Sequence, residues 1–178
     1  MSESRRSEII DLGMRHRGRH DELLRAFSAG QKFRFDILMD IGAFRDLHRH
    51  RRCIQIGQDF TPLHGYDVPE EVRAAGVKER YEGVMRRAAE ASNRLAEAAP
   101  ATQAADYLLP LAYRKRTLFK MDFAEAVYIS ELRTGAGGHI SYRRIAYQMY
   151  EAVARRYPAL AKYFRVTDPA IAVDLLQR

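Results

Sequence analysis

Lys32-Phe33-Arg34-Phe35-Asp36-Ile37-Leu38-Met39 alternates polar and apolar residues at its start, the period-two pattern of a half-buried strand. Asp40 follows directly and suits a helix N-cap, with Ile41, Phe44 and Leu47 on the core face of a helix predicted through Arg52. Further on, Tyr113 to Met121 suits a second strand with a basic start. Asp122 can cap a helix carrying Phe123, Val127 and the run Ser130 to Arg133. Strands handing over to capped helices imply an α+β fold.

The remaining segments are mostly helical. Residues 19–29, with Leu23, Leu24 and Phe27, predict a short helix ended by Gly30, and residues 53–60 read as a short β-rich piece. Val77, Tyr81, Val84, Met85, Ala88, Ser92 and Leu95 recur at three- and four-residue spacing, which predicts one long amphipathic helix over 70–98. Residues 101–109 predict a short helix closed by Pro110. A glycine link, Gly135-Ala136-Gly137-Gly138, precedes a helix at 140–156 whose buried stripe is Tyr142, Ile145, Ala146, Met149 and Val153. The fold class is therefore α+β, helix-dominated, with a small and mostly antiparallel sheet of two or three strands. Residues 1–18 read as a basic N-terminal segment ahead of a single domain over 19–178.

Composition narrows the function classes. The 178 residues are 47% hydrophobic, enough for a core, and carry 30 Lys+Arg against 23 Asp+Glu, a net charge of +7. No apolar run reaches transmembrane length, and Met1 to Arg6 leads into no signal-peptide core, so a cytoplasmic protein without membrane partners is expected. Cys53 is the one cysteine, which excludes an internal disulfide and a multi-cysteine zinc site. The six histidines lack metal-ligand spacing, so no metal site is expected.

The charge gathers in two clusters. In the predicted helix, Arg45, Arg49 and Arg52 fall on one face at i, i+4 and i+7, with His48 beside them. Three guanidiniums on a stripe repel unless an anion sits among them, and guanidinium forks match phosphate. The alternative is a solvated basic surface. Arg15 to His20 repeats the arginine–histidine pattern without an apolar frame and reads as a flexible basic segment. Around the glycine link, Arg133 and His139 bracket a space where backbone N–H groups could meet an anion; an ordinary helix C-cap and turn explains it equally. Cys53, beside Arg51 and Arg52, is either a lowered-pKa thiol or, more commonly, a small buried one.

Phe33-Arg34-Phe35-Asp36-Ile37, then Arg45-Asp46-Leu47-His48-Arg49-His50-Arg51, Leu109-Pro110-Leu111, Leu132-Arg133 and His139 form an ordered set that resembles the flavin-dependent thymidylate synthase family. The order covers most of residues 30–155, and the chain also looks like the diverged half of tandem family members. The resemblance implies FAD as cofactor, NADPH and methylene-tetrahydrofolate as co-substrates, and reductive methylation of a uracil nucleotide such as dUMP. It implies a homotetramer with sites between subunits. By that resemblance Arg45, Arg49, His50, Arg51 and His139 are flavin-binding positions, and Arg133 is the catalytic arginine that contacts the pyrimidine.

After Arg51 the chain departs from the family motif. The positions of its named polar residues hold Ile54, Ile56, Gly57, Asp59, Thr61 and Pro62, and family ligands elsewhere fall on Gly30, Asp106, Asp122 and Ala124. Two further functions therefore stand beside catalysis: a catalytically degenerate assembly domain, and non-specific nucleic-acid binding. The last lacks any aromatic-plus-basic recognition motif.

Overall fold

The computed structural model describes residues 1–18, 21–30 and 32–171. Helix α1 (Glu3–Met14) comes first, and strand β1 (Lys32–Asp40) runs directly into α2 (Ile41–Leu47). Then come β2 (Ile54–Gly57), α3 (Glu70–Ala74), α4 (Lys78–Ala98), β3 (Arg114–Asp122), α5 (Phe123–Arg133), α6 (Ile140–Arg156) and the short α7 (Pro158–Ala161). The sheet order is β1-β3-β2, antiparallel throughout. This is the α+β, helix-dominated class that the sequence predicts.

Alternation along the strands decides which sheet face is covered. Phe33, Phe35, Ile37 and Met39 on β1, with Phe119 and Met121 on β3, turn toward α2, α5 and α6. Ala43, Leu47, Ala126, Ile129 and Met149 close that core. The opposite sheet face leaves Leu38, Ile54 and Ile56 exposed around the Asp36–Arg116 ion pair. The hydrogen bonds from Arg116 hold the Asp36 carboxyl below its usual pKa.

Both caps form as predicted. Asp40 Oδ1 accepts from Ala43 N–H at 2.8 Å, and Asp122 Oδ1 accepts from Glu125 N–H at 2.9 Å.

Four expectations are corrected. The helix through Arg52 ends at Leu47, and residues 48–53 are turns closed by Leu47 O accepting from His50 N–H and His50 O from Cys53 N–H. A continued helix would have stacked the guanidiniums on one stripe; the turn sends them to separate partners and lets β2 start at Ile54. The long helix over 70–98 is two helices, split where Gly76 adopts φ +69°, a conformation that favours glycine. Of the short helix at 19–29, a 3-10 turn at Arg25–Ser28 is present; Arg19 and His20 lie outside the described residues.

The fourth concerns residues 1–18. Arg15 to His20 reads as flexible from the sequence, yet Arg17 pairs with Glu131; α1, just before it, buries Met14 against Phe123, Val127 and Val153, and Asp11 accepts from the Tyr163 hydroxyl at 2.5 Å. The sequence signal was weak because the residues that receive α1, from Phe123 to Tyr163, lie far along the chain. Among the described residues, no helix is long and apolar enough to cross a membrane.

Cys53 is buried, its thiol donating to His50 O at 2.8 Å and accepting from Gln55 Nε2 at 3.3 Å. Burial pushes its pKa up, outweighing the hydrogen bond from Gln55. Alkylation by iodoacetamide at pH 8 is expected to be at least about tenfold slower in the folded protein than in urea. Equal rates in the two conditions, read by mass spectrometry, would contradict a buried thiol.

Candidate functional site

A cavity of about 450 Å³ opens between the 49–52 turn, α5 and the N-terminal stretch. Its walls are part apolar, from Leu23, Ala124, Val127 and Leu132, and part charged. Arg49, His50, Arg51 and Arg133, all singled out from the sequence, line it together. Arg45 and His139 do not. Arg45 points away on α2, 4.0 Å from Asp46, and His139 caps α6, with Nδ1 3.3 Å from Ser141 N.

The glycine link is likewise a turn rather than a cradle. A Cβ at Gly138 would lie 2.5 Å from the Tyr142 hydroxyl oxygen, so a glycine there makes room for the Tyr142 ring. Gly138 N–H closes onto Gly135 O at 3.1 Å. The space bracketed by Arg133 and His139 is thus occupied by this chain's own tyrosine.

Each cation at the cavity has a distinct electrostatic setting. Arg52 donates to Asp122 Oδ2 at 3.1 Å and lies 3.9 Å from Glu125 Oε2. Arg17 crosses from the N-terminal stretch to pair with Glu131 on α5, its side chain only 6% exposed. Arg133 Nε donates to His50 Nε2 at 2.8 Å, and its guanidinium carbon sits 5.7 Å from the Tyr142 ring centre. Arg49 is exposed and loosely held, 3.7 Å from Asp46. Among the described residues Arg51 has no carboxylate within 4.0 Å, so it is the cation most available to an incoming anion.

Three participants escape the sequence reading. Arg17 belongs to the cluster read as flexible. Glu125 is buried on α5 and faces His50 Nδ1 at 3.7 Å. Tyr128 meets the His50 ring edge-on, with ring centres 5.7 Å apart. The usable signal was Glu125 itself, one acid inside the otherwise apolar run Phe123 to Val127, where an unpaired charge would be costly.

The family model described as thymidylate synthase complementing protein matches residues 4–159. The chain belongs to the thymidylate synthase complementing protein family. The match takes in α1 and runs on into α7. Similar relatives include a UPF0159 protein of Chlamydia pneumoniae, 36% identical over 137 residues, which are 77% of this chain and 25% of that protein. A UPF0159 protein of Chlamydia muridarum is 35% identical over 77% of this chain and 26% of its own length. One from Thermoplasma acidophilum is 33% identical over 75% and 27%. The chain spans about a quarter of the length of these curated relatives. At family level it is a thymidylate synthase-like protein.

Proposed function

We propose that this cavity holds a flavin, with a uracil nucleotide against it, and that the chain serves FAD-dependent reductive methylation of the dUMP-to-dTMP type. The observation that carries the reading is Arg51, without a carboxylate within 4.0 Å among the described residues, beside the loosely held Arg49 on the rim of a part-apolar cavity with Arg133 fixed in its wall. The residues fit the cofactor: Leu23, Val127 and Tyr128 suit a flat ring, and Arg49 and Arg51 suit its phosphates.

Bound FAD would supply the electron transfer, with NADPH and methylene-tetrahydrofolate as co-substrates. The chain's own task is to bind, to orient, and to place positive charge by the ring oxygens through Arg133. His50 serves as the acceptor for Arg133 rather than as a direct flavin ligand. Assembly as a homotetramer belongs to the same proposal, since the open sheet face with Leu38, Ile54 and Ile56 offers apolar surface to another subunit.

A second reading, a degenerate assembly domain, is favoured by one observation. Glu125, Glu131 and Asp122 neutralise arginines that a nucleotide phosphate would otherwise meet.

The absorbance spectrum separates the two. Purified protein is expected to show, or acquire with added FAD, the visible flavin bands. The Arg49→Ala/Arg51→Ala variant is expected to weaken FAD binding by about tenfold or more, the worth of a charge-assisted contact. Protein that stays colourless with FAD and does not oxidise NADPH in the presence of a uracil nucleotide would overturn the catalytic reading. A flavin-free tetramer would leave the assembly role.

A further inference from the structure

We propose that Glu125 is a positioning residue for Arg133, acting through His50. Arg133 Nε always carries its hydrogen, and it lies 2.8 Å from His50 Nε2. That nitrogen must therefore be the acceptor, which places the imidazole proton on Nδ1. Nδ1 faces Glu125 Oε1 at 3.7 Å, and the two side chains are only 4% and 6% exposed. A carboxylate facing a ring N–H selects the tautomer and orientation of a histidine, as in carboxylate–histidine pairs generally. At 3.7 Å it does so by its field rather than by a formed hydrogen bond.

The surroundings support the assignment. Tyr128 on α5 meets the His50 ring edge-on, and Arg52 on the turn stands 3.9 Å from the second Glu125 oxygen. Buried Cys53 contributes no charge there, its thiol donating to the His50 carbonyl. Glu125 is itself seated by the cap, because Asp122 Oδ1 takes its backbone N–H. Cap, acid, imidazole and guanidinium thus form one ordered chain. Its product is an arginine fixed at Nε and backed by Tyr142, with terminal N–H groups that meet no hydrogen-bond acceptor among the described residues and can face a planar ligand.

What Arg133 then contacts rests on the proposed function. The order Glu125–His50–Arg133 does not, and ligand-free protein tests it. Nitrogen-15 NMR on the full chain at pH 8 is expected to show His50 in the Nδ1–H tautomer. The Arg133 Nε–H is expected to exchange more slowly than that of exposed Arg45, by about tenfold. In Glu125→Leu, with the melting transition retained, His50 is expected to mix tautomers and Arg133 to lose that protection. Glu125→Gln, which keeps an acceptor, is expected to restore most of it.

An Nε2–H tautomer in the unmodified protein would overturn the proposal, as would Arg133 protection unchanged in folded Glu125→Leu. If Glu125→Leu does not fold, the unmodified tautomer and the Glu125→Gln exchange rate decide. FAD titration of the same samples keeps the two ideas apart. Ordered Arg133 without FAD binding would leave this inference standing and remove the flavin reading.

Discussion

Asp122→Ala is expected to lower folding stability by about 2–3 kcal/mol, the sum of a lost helix cap and a lost partly buried charge contact. One carboxylate does three things here: it caps α5 through Glu125 N–H, accepts from Arg52 at 3.1 Å, and faces Lys32 at 3.6 Å. Truncation leaves the amide without its partner and leaves Arg52 to Glu125 at 3.9 Å and the Ser28 hydroxyl at 2.6 Å. Asp122→Asn keeps the cap oxygen and gives up only the charge, so it is expected to lose about half as much. Urea unfolding at pH 7 measures both, as a lower midpoint with unchanged slope. Equal losses for the two variants would mean that charge, not capping, is the stabilising part. FAD affinity, measured alongside, is expected to fall further for Asp122→Ala, because the start of α5 carries Glu125.

Phe119→Ala is expected to cost about 3–5 kcal/mol, a large share of what a domain of this size has to lose. Phe119 lies in the central strand, opposite Phe35 on β1 and Gln55 on β2, with almost no exposure. No small shift of the three-stranded sheet can fill the space its ring leaves. Phe119→Leu keeps much of the volume and is expected to cost under about 1.5 kcal/mol. A thermal midpoint for Phe119→Ala within a few degrees of the unmodified protein would show that the sheet and α5 are not one packing unit.

The parts of this fold that were legible in the sequence are those governed by neighbours in the chain. Asp122 and the apolar residues after it announced α5 to the residue, since a cap and its helix are local. Alternation at the start of β1 marked that strand, and the run Tyr113 to Met121 marked β3, each to within a residue. The turn after Leu47 was not legible, because helical spacing says nothing about the partners that draw Arg49 and Arg52 apart. Gly76 was a single residue inside a long periodic run, and periodicity outweighed it. Helix α1 depends on Tyr163 and Lys162, far beyond any local window.

The candidate site divides along the same line. Arg49, His50, Arg51 and Arg133 stood out by type and order, and the fold gathers them on one cavity. What they do to one another was hidden. His50 meets Arg133 across 83 positions and Glu125 across 75, and only folding reveals that the histidine is already engaged.

One oxygen of Glu131 receives both the Arg17 guanidinium and, at 3.0 Å, the backbone N–H of Arg165. Arg165 in turn donates to the carbonyls of Arg17 and Gly18. The wall that the early residues give the cavity and the stretch after α7 are therefore clasped at a common point. By thermodynamic reciprocity, a ligand that prefers the docked early wall must also tighten the late stretch, and anything that frees the late stretch must loosen the ligand's grip. Residues 17–18 and Arg165 are thereby tied through Glu131 into one wall of the cavity.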